Sequence, residues 1–166
     1  MTMKKTLILM LCVLLCLSAV GCARSYSSTV PTSKVVATAL DALEDSASYI
    51  DGTTNYFEFY FAGNEGADKV TECSMMFHDL ETNVNEFGVF RVASTKDVAV
   101  VESLVRSYLN DQTDDLRSFA ANYSPEDMAK IDNADVTTMG TYIIYYILSP
   151  EDENAVLTAV EDLLAE

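Results

Sequence analysis

The sequence predicts an α+β domain: a four-stranded, mainly antiparallel sheet with helices packed on one face, following an N-terminal secretory leader. Three observations predict it. Apolar residues recur every three or four positions in several long segments, as a helix with one buried face requires. In four shorter segments they alternate or run on continuously, as strands do. The chain of 166 residues is 49% hydrophobic and 22% charged, which fits one globular domain rather than a disordered chain or a multidomain enzyme.

In chain order, Val35, Val36, Leu40 and Leu43 mark a first helix, with Thr32 or Ser33 as its cap. Asn55 to Phe61 fits two patterns. Phe57, Phe59 and Phe61 alternate like a strand, whereas Tyr56, Phe57, Tyr60 and Phe61 share one helical face. A short helix is the preferred reading. Lys69 to Phe77 reads as a strand, with Cys73, Met75 and Phe77 on one side and Glu72, Ser74 and His78 on the other. After a polar loop, Glu86 to Val92 reads as a second strand, pairing with the first as a long-looped hairpin.

The longest helix runs from about Thr95 to Ala121, with Val98, Val101, Val105, Tyr108, Leu116 and Phe119 as its stripe. Ser-Pro-Glu-Asp then occurs twice, at Ser124 and at Ser149. Each copy has helix-start chemistry: a serine acceptor, a proline with preset φ, and acids at the positive dipole end. Between them, Asp135 to Thr138 and Thr141 to Leu148 form a hairpin turning at Gly140. Tyr142 to Leu148 is apolar on both faces and reads as a central strand. A last helix buries Val156, Ala159, Val160, Leu163 and Leu164.

The N-terminus is an address. Lys4 and Lys5 precede an apolar run from Thr6 to Leu17, which is shorter than the ~20 residues a spanning helix needs. Leu17-Ser18-Ala19-Val20-Gly21-Cys22 follows and resembles the lipobox of bacterial lipoproteins, with Ala19 where leucine is commonest. The resemblance implies cleavage before Cys22 and a diacylglyceryl thioether on it. Residues 1–21 are then a lipoprotein signal peptide, residues 22–33 a Ser/Thr-rich tether, and residues 34–166 the folded domain. The membrane becomes a partner through the lipid on Cys22, on the extracytoplasmic face of the cell membrane. Two acyl chains hold a protein where one is marginal. Loss of Lys4 and Lys5 leaves eight basic residues against 26 acidic ones, a net charge of −18. Such a domain is repelled by anionic headgroups, so the lipid must hold it. The same acidity argues against nucleic acid as a partner. Cys12 and Cys16 leave with the leader, and Cys73 remains as a lone thiol, expected to be buried.

Cys22, Glu86-Phe87-Gly88-Val89-Phe90, Tyr123 with Ser124-Pro125-Glu126, and Gly140-Thr141-Tyr142-Ile143 together resemble the bacterial lipoprotein family catalogued as domain of unknown function 4358. The likeness runs from roughly Tyr60 to the C-terminus. It implies a small, lipid-anchored extracytoplasmic domain, mostly of Gram-positive bacteria. The family carries no established reaction, cofactor or catalytic residue to transfer.

Chemical motifs are sparse. His78 is the sole histidine, expected at the surface of a strand end, and no nucleophile elbow accompanies it. One thiol and one imidazole fall short of a zinc set, so no cofactor is expected. Two acidic groups, Asp111, Asp114 and Asp115 on the long helix and Asp79, Glu81, Asn83, Asn85 and Glu86 in one loop, lack the EF-hand order and read as solvated faces. If helices cover one side of the sheet only, Tyr145 and Ile147 lie on an open aromatic face suited to an envelope protein partner; if the N-terminal segments cover the other side, that face is closed. The sequence therefore predicts a non-catalytic binding or accessory module at the cell envelope. The alternatives are an envelope hydrolase working through acidic residues, or a weak cation-binding surface domain.

Overall fold

The computed structural model describes residues 24–80 and 83–166. The leader, Cys22, Glu81 and Thr82 lie outside the described residues. The elements are α1 (Thr32–Asp41), β1 (Tyr49–Asp51), α2 (Thr53–Tyr56) continuing into a π-helical turn (Phe57–Phe61), β2 (Val70–His78), β3 (Glu86–Val92), α3 (Val98–Tyr123), α4 (Met128–Asn133), β4 (Asp135–Met139), β5 (Tyr142–Ile147) and α5 (Pro150–Leu164). The fold is α+β, as expected. Every strand pair is antiparallel, in the order β1-β2-β3-β5-β4.

Two expectations about the sheet are corrected. It has five strands, because β1 adds an edge beside β2, with Ile50 opposite Phe77. Helices also cover both faces. On one, α1 and α5 bring Val35, Val36, Ala39, Val156, Val160 and Leu164 onto Phe87, Val89, Tyr142, Ile144 and Tyr146. On the other, α3 lays Val101, Val105, Tyr108 and Leu109 over Phe90, Ile143, Tyr145 and Ile147. The reason lies in β5. Its run is apolar at every position, so neither face can be left to water without exposing large side chains. Tyr145 and Ile147 are each 0% exposed, and the open aromatic face predicted for them does not exist.

The hairpin is as read. Met139 pairs with Tyr142 across Gly140-Thr141, and Gly140 has φ +62°. Asn55 to Phe61 is helical. The two Ser-Pro-Glu-Asp copies differ: Ser149 accepts from the Asp152 N–H at the start of α5, whereas the Ser124 side chain makes no capping bond. Thr32 is the first residue of α1 rather than its cap, and its hydroxyl meets Ser74 Oγ at 2.9 Å.

The tether reading is also corrected from Arg24 onward. Ser27 N–H donates to Leu164 O at 2.8 Å, and Glu166 N–H donates to Ser25 O at 3.1 Å. Arg91 donates to Ser28 O, and the Tyr142 hydroxyl donates to Val30 O at 2.7 Å. Tyr26 and Val30 pack against the α1–α5 core. A short Ser/Thr segment reads as flexible only while its backbone has no partner. Here Ser25 and Ser27 find theirs in Glu166 and Leu164.

Candidate functional site

β3 begins with Glu86, which is 6% exposed although it is acidic. It lies on the α3 side of the sheet. Tyr108 of α3 and Tyr145 of β5 both donate their hydroxyls to its Oε1, at 2.5 and 2.6 Å. These are its only side-chain hydrogen bonds among the described residues, and no Lys or Arg pairs with it. Gly88 makes the arrangement feasible. It lies opposite Tyr145, and a Cβ there would stand 2.4 Å from the tyrosine ring. The missing side chain lets that ring lie across β3, with its hydroxyl reaching back to Glu86.

Burial pushes the Glu86 carboxyl up to about 7, and the two phenols pull the other way. Desolvation disfavours the charged form, while donors to the carboxylate favour it. Tyr145 and Tyr108 are themselves raised well above the ordinary tyrosine range, by burial first and then by the neighbouring carboxyl.

Glu86 lines a cleft of about 420 Å³. Its walls are Tyr56, Tyr60 and Phe77, with Leu116 and Gln112 from α3 and Val84 from the loop before β3. Tyr56 stacks on Phe77 with ring centroids 3.9 Å apart, and Tyr60 meets Tyr108 edge-on at 5.2 Å. Gly52 leaves room for the Phe77 ring, because a Cβ there would approach it to 2.4 Å. Ile50 and Leu80, both exposed, stand at the mouth. Asn85 is buried beside Glu86. Its amide donates to the Tyr49 hydroxyl, and its Oδ1 has no partner. A second, larger depression of about 550 Å³ lies beyond Tyr60 and Gln112. Its lining is mostly the polar surface of α3, including Asp111 and Asp115.

His78 also lines the first cleft, and its side chain is only 5% exposed, which corrects the surface reading. β1 accounts for this. Tyr49 packs edge-on to the imidazole at 5.4 Å, and Asp45 lies 3.3 Å from Nε2. Nδ1 accepts from the Leu80 N–H. Cys73 sits on the α3 side and packs against that core, and burial pushes its thiol up to about 11. Asp111, Asp114 and Asp115 are exposed along α3. Among the described residues, no three His, Cys, Asp or Glu side chains converge as metal ligands. Among them too, no helix is long and apolar enough to cross a membrane.

Tyr145 and Ile147, the expected contact residues, are thus parts of the core. Tyr145 bears on the cleft only through Glu86. Sequence reasoning placed Glu86 among solvated loop acids. The available signal was its place at the head of Phe87-Gly88-Val89-Phe90, four residues without a polar side chain on either face.

The fold and cleft define a small α+β domain with one buried carboxyl at an aromatic opening. A family model described as Domain of unknown function (DUF4358) matches residues 66–148, and the chain belongs to that family. The matched segment carries Glu86, Gly88, Tyr108 and Tyr145. No curated protein and no solved structure matches the chain.

Proposed function

We propose that this protein is a lipid-anchored binding module at the extracytoplasmic face of the cell membrane, and that it takes its ligand in the Glu86 cleft rather than on the face of Tyr145 and Ile147. One observation carries the binding reading. A carboxyl is buried without a cation at the base of an aromatic cleft whose mouth keeps Ile50 and Leu80 in water. Buried charge is costly unless it is paired, and sites of this kind concentrate at ligand pockets. Support for the anchor comes from the Gly21-Cys22 junction after the apolar run. Docking of Arg24 to Val30 adds a consequence. With Ala23 alone between Cys22 and the packed chain, an anchored domain sits against the bilayer surface instead of ranging from it.

A mixture of small amines, acids, alcohols and sugars, screened by saturation-transfer NMR against the full chain in a non-ionic detergent, tests the binding reading. Compounds that bind should lose their signal in Gln112→Trp, which fills the cleft from α3. Binding unaffected by that change would place the site elsewhere. For the anchor, Cys22→Ser should release the domain from membranes or stall its precursor. A variant that stays membrane-bound at mature mass would contradict lipidation.

The hydrolase reading has one observation in its favour, because a carboxyl held near 7 suits general acid catalysis. Two-carboxylate hydrolysis needs a second acid, and among the described residues Asp79 alone could supply it in this cleft. Turnover abolished by Asp79→Asn would favour that reading.

A further inference from the structure

The ligand class follows from the charge and lining of the same cleft, so this inference rests on the cleft being a binding site. We propose that it takes an organic ammonium ion, with the cationic head beside Glu86 and the Tyr56, Tyr60 and Phe77 rings, and an apolar stem along Leu116, Ile50 and Leu80.

Charge complementarity is the first ground. Among the described lining residues there is no Lys or Arg, while Glu86 and Asp79 contribute carboxylates. The whole chain carries −16. An anion would meet only repulsion there, and a neutral ligand would leave the ionised form of the buried carboxyl without a counter-charge. The chemistry of the walls is the second ground. Aromatic faces attract cations within ~6 Å of the ring, and the attraction grows when water is excluded. A hard metal ion needs six or more oxygen ligands, and among the described residues no three His, Cys, Asp or Glu side chains converge to begin such a set. The third ground is the second carboxyl oxygen of Glu86. Glu86 is more than nine-tenths buried, and both phenols use the same carboxyl oxygen. Its other oxygen has no hydrogen-bond partner among the described residues. An ammonium ion would supply the positive charge that this carboxylate lacks.

Titration calorimetry with the full chain in a non-ionic detergent decides the matter. The probes are choline, n-butylammonium, and 3,3-dimethyl-1-butanol, the neutral isostere of choline. At pH 8 at least one cation should bind at least tenfold more tightly than the isostere. Glu86→Gln should weaken cation binding at least tenfold and leave the isostere unchanged. Tyr56→Leu should weaken the cation severalfold. Affinity for the cation should rise from pH 5.5 to 8 in the wild type and flatten in Glu86→Gln. That profile separates Glu86 from the other groups facing it or lining the cleft: Tyr108 of α3, Tyr145 of β5, Tyr56 of α2, Tyr60 of the π-helical turn, His78 of β2 and Asp79 of the following loop. Choline favoured over n-butylammonium would assign a quaternary head, and the reverse a primary amine.

Equal binding of cation and isostere would overturn the ligand class and leave the cleft as a general apolar site. If neither cation binds while Gln112→Trp still abolishes other ligands, the ligand class fails and the binding reading stands. If Gln112→Trp alters nothing as well, both fall.

Discussion

The two faces of the sheet bury tyrosines in different ways. On the α1–α5 side, Tyr142 and Tyr146 point their hydroxyls outward to partners at the rim. Tyr142 reaches the carbonyl of Val30, and Tyr146 reaches Glu153 at 2.7 Å. Glu153 also accepts from Asn133 and belongs to the first turn of α5, where the helix dipole favours an acid. Both of these hydroxyls have a partner within reach. On the α3 side, Tyr108 and Tyr145 turn inward onto Glu86, deep in the layer, with no positive charge beside them. One face is organised for stability. The other keeps an ionisable group where a purely structural core would have used an aliphatic side chain. That asymmetry is what directs attention to the cleft.

Core truncation should tax both faces, with the largest effects expected. Ile144→Ala on the α1–α5 side should lower unfolding free energy by roughly 2–5 kcal/mol, and Tyr145→Ala on the α3 side by about 3–5 kcal/mol. Urea unfolding measures both. A negligible loss at Tyr145 would reopen the exposed face that the structure closes.

The next effect separates the faces by pH. Glu86 has its folded-state pKa raised, to about 7 from 4.5. The folded chain therefore holds more protons than the unfolded chain between those values. The stability this group contributes is fully present below pH 4.5 and is lost as pH rises through 7, a change of roughly 3 kcal/mol. Wild type should weaken accordingly from pH 4.5 to 8, and Glu86→Gln should remove that component. Glu153→Gln on the opposite face should leave it in place. Identical slopes for wild type and Glu86→Gln would break the comparison.

Gly88→Ala should cost roughly 1–3 kcal/mol, as overpacking does, because the new Cβ meets the Tyr145 ring. It should also disturb the Tyr145–Glu86 hydrogen bond, which a shift in tyrosine fluorescence would show. The smallest effect concerns the repeated tetrapeptide. Ser149→Ala removes a cap and should cost about 1 kcal/mol, whereas Ser124→Ala removes no capping bond and should cost no such increment. Thermal melts of the two variants check this.

Much of the fold was legible because burial imposes periodicity. The stripe of α3, the alternation in β2 and the turn at Gly140 all appear in the residues themselves. β1 was not legible, because three residues with one buried side chain carry no period. The second helical layer is implied by β5, apolar at every position, but the run does not say which segment supplies the cover. The docked segment from Arg24 is held by backbone hydrogen bonds to Leu164 and Glu166, and composition does not encode these. Lipidation at Cys22 rests on sequence alone. The site was missed for a related reason. A glutamate beside a polar loop looks solvated until Tyr108 and Tyr145, 22 and 59 residues further along the chain, are seen to converge on it.

The central claim is that the α3 face holds a carboxyl which changes charge near neutral pH inside the cleft. The most direct measurement is a ¹³C NMR titration of the Glu86 side-chain carboxyl, assigned by its loss in Glu86→Gln. A midpoint of about 7, far above those of the exposed glutamates, is the predicted result. A midpoint near the ordinary 4.5 would contradict the account, because Glu86 would then be a solvated acid and the two faces of the sheet would be alike.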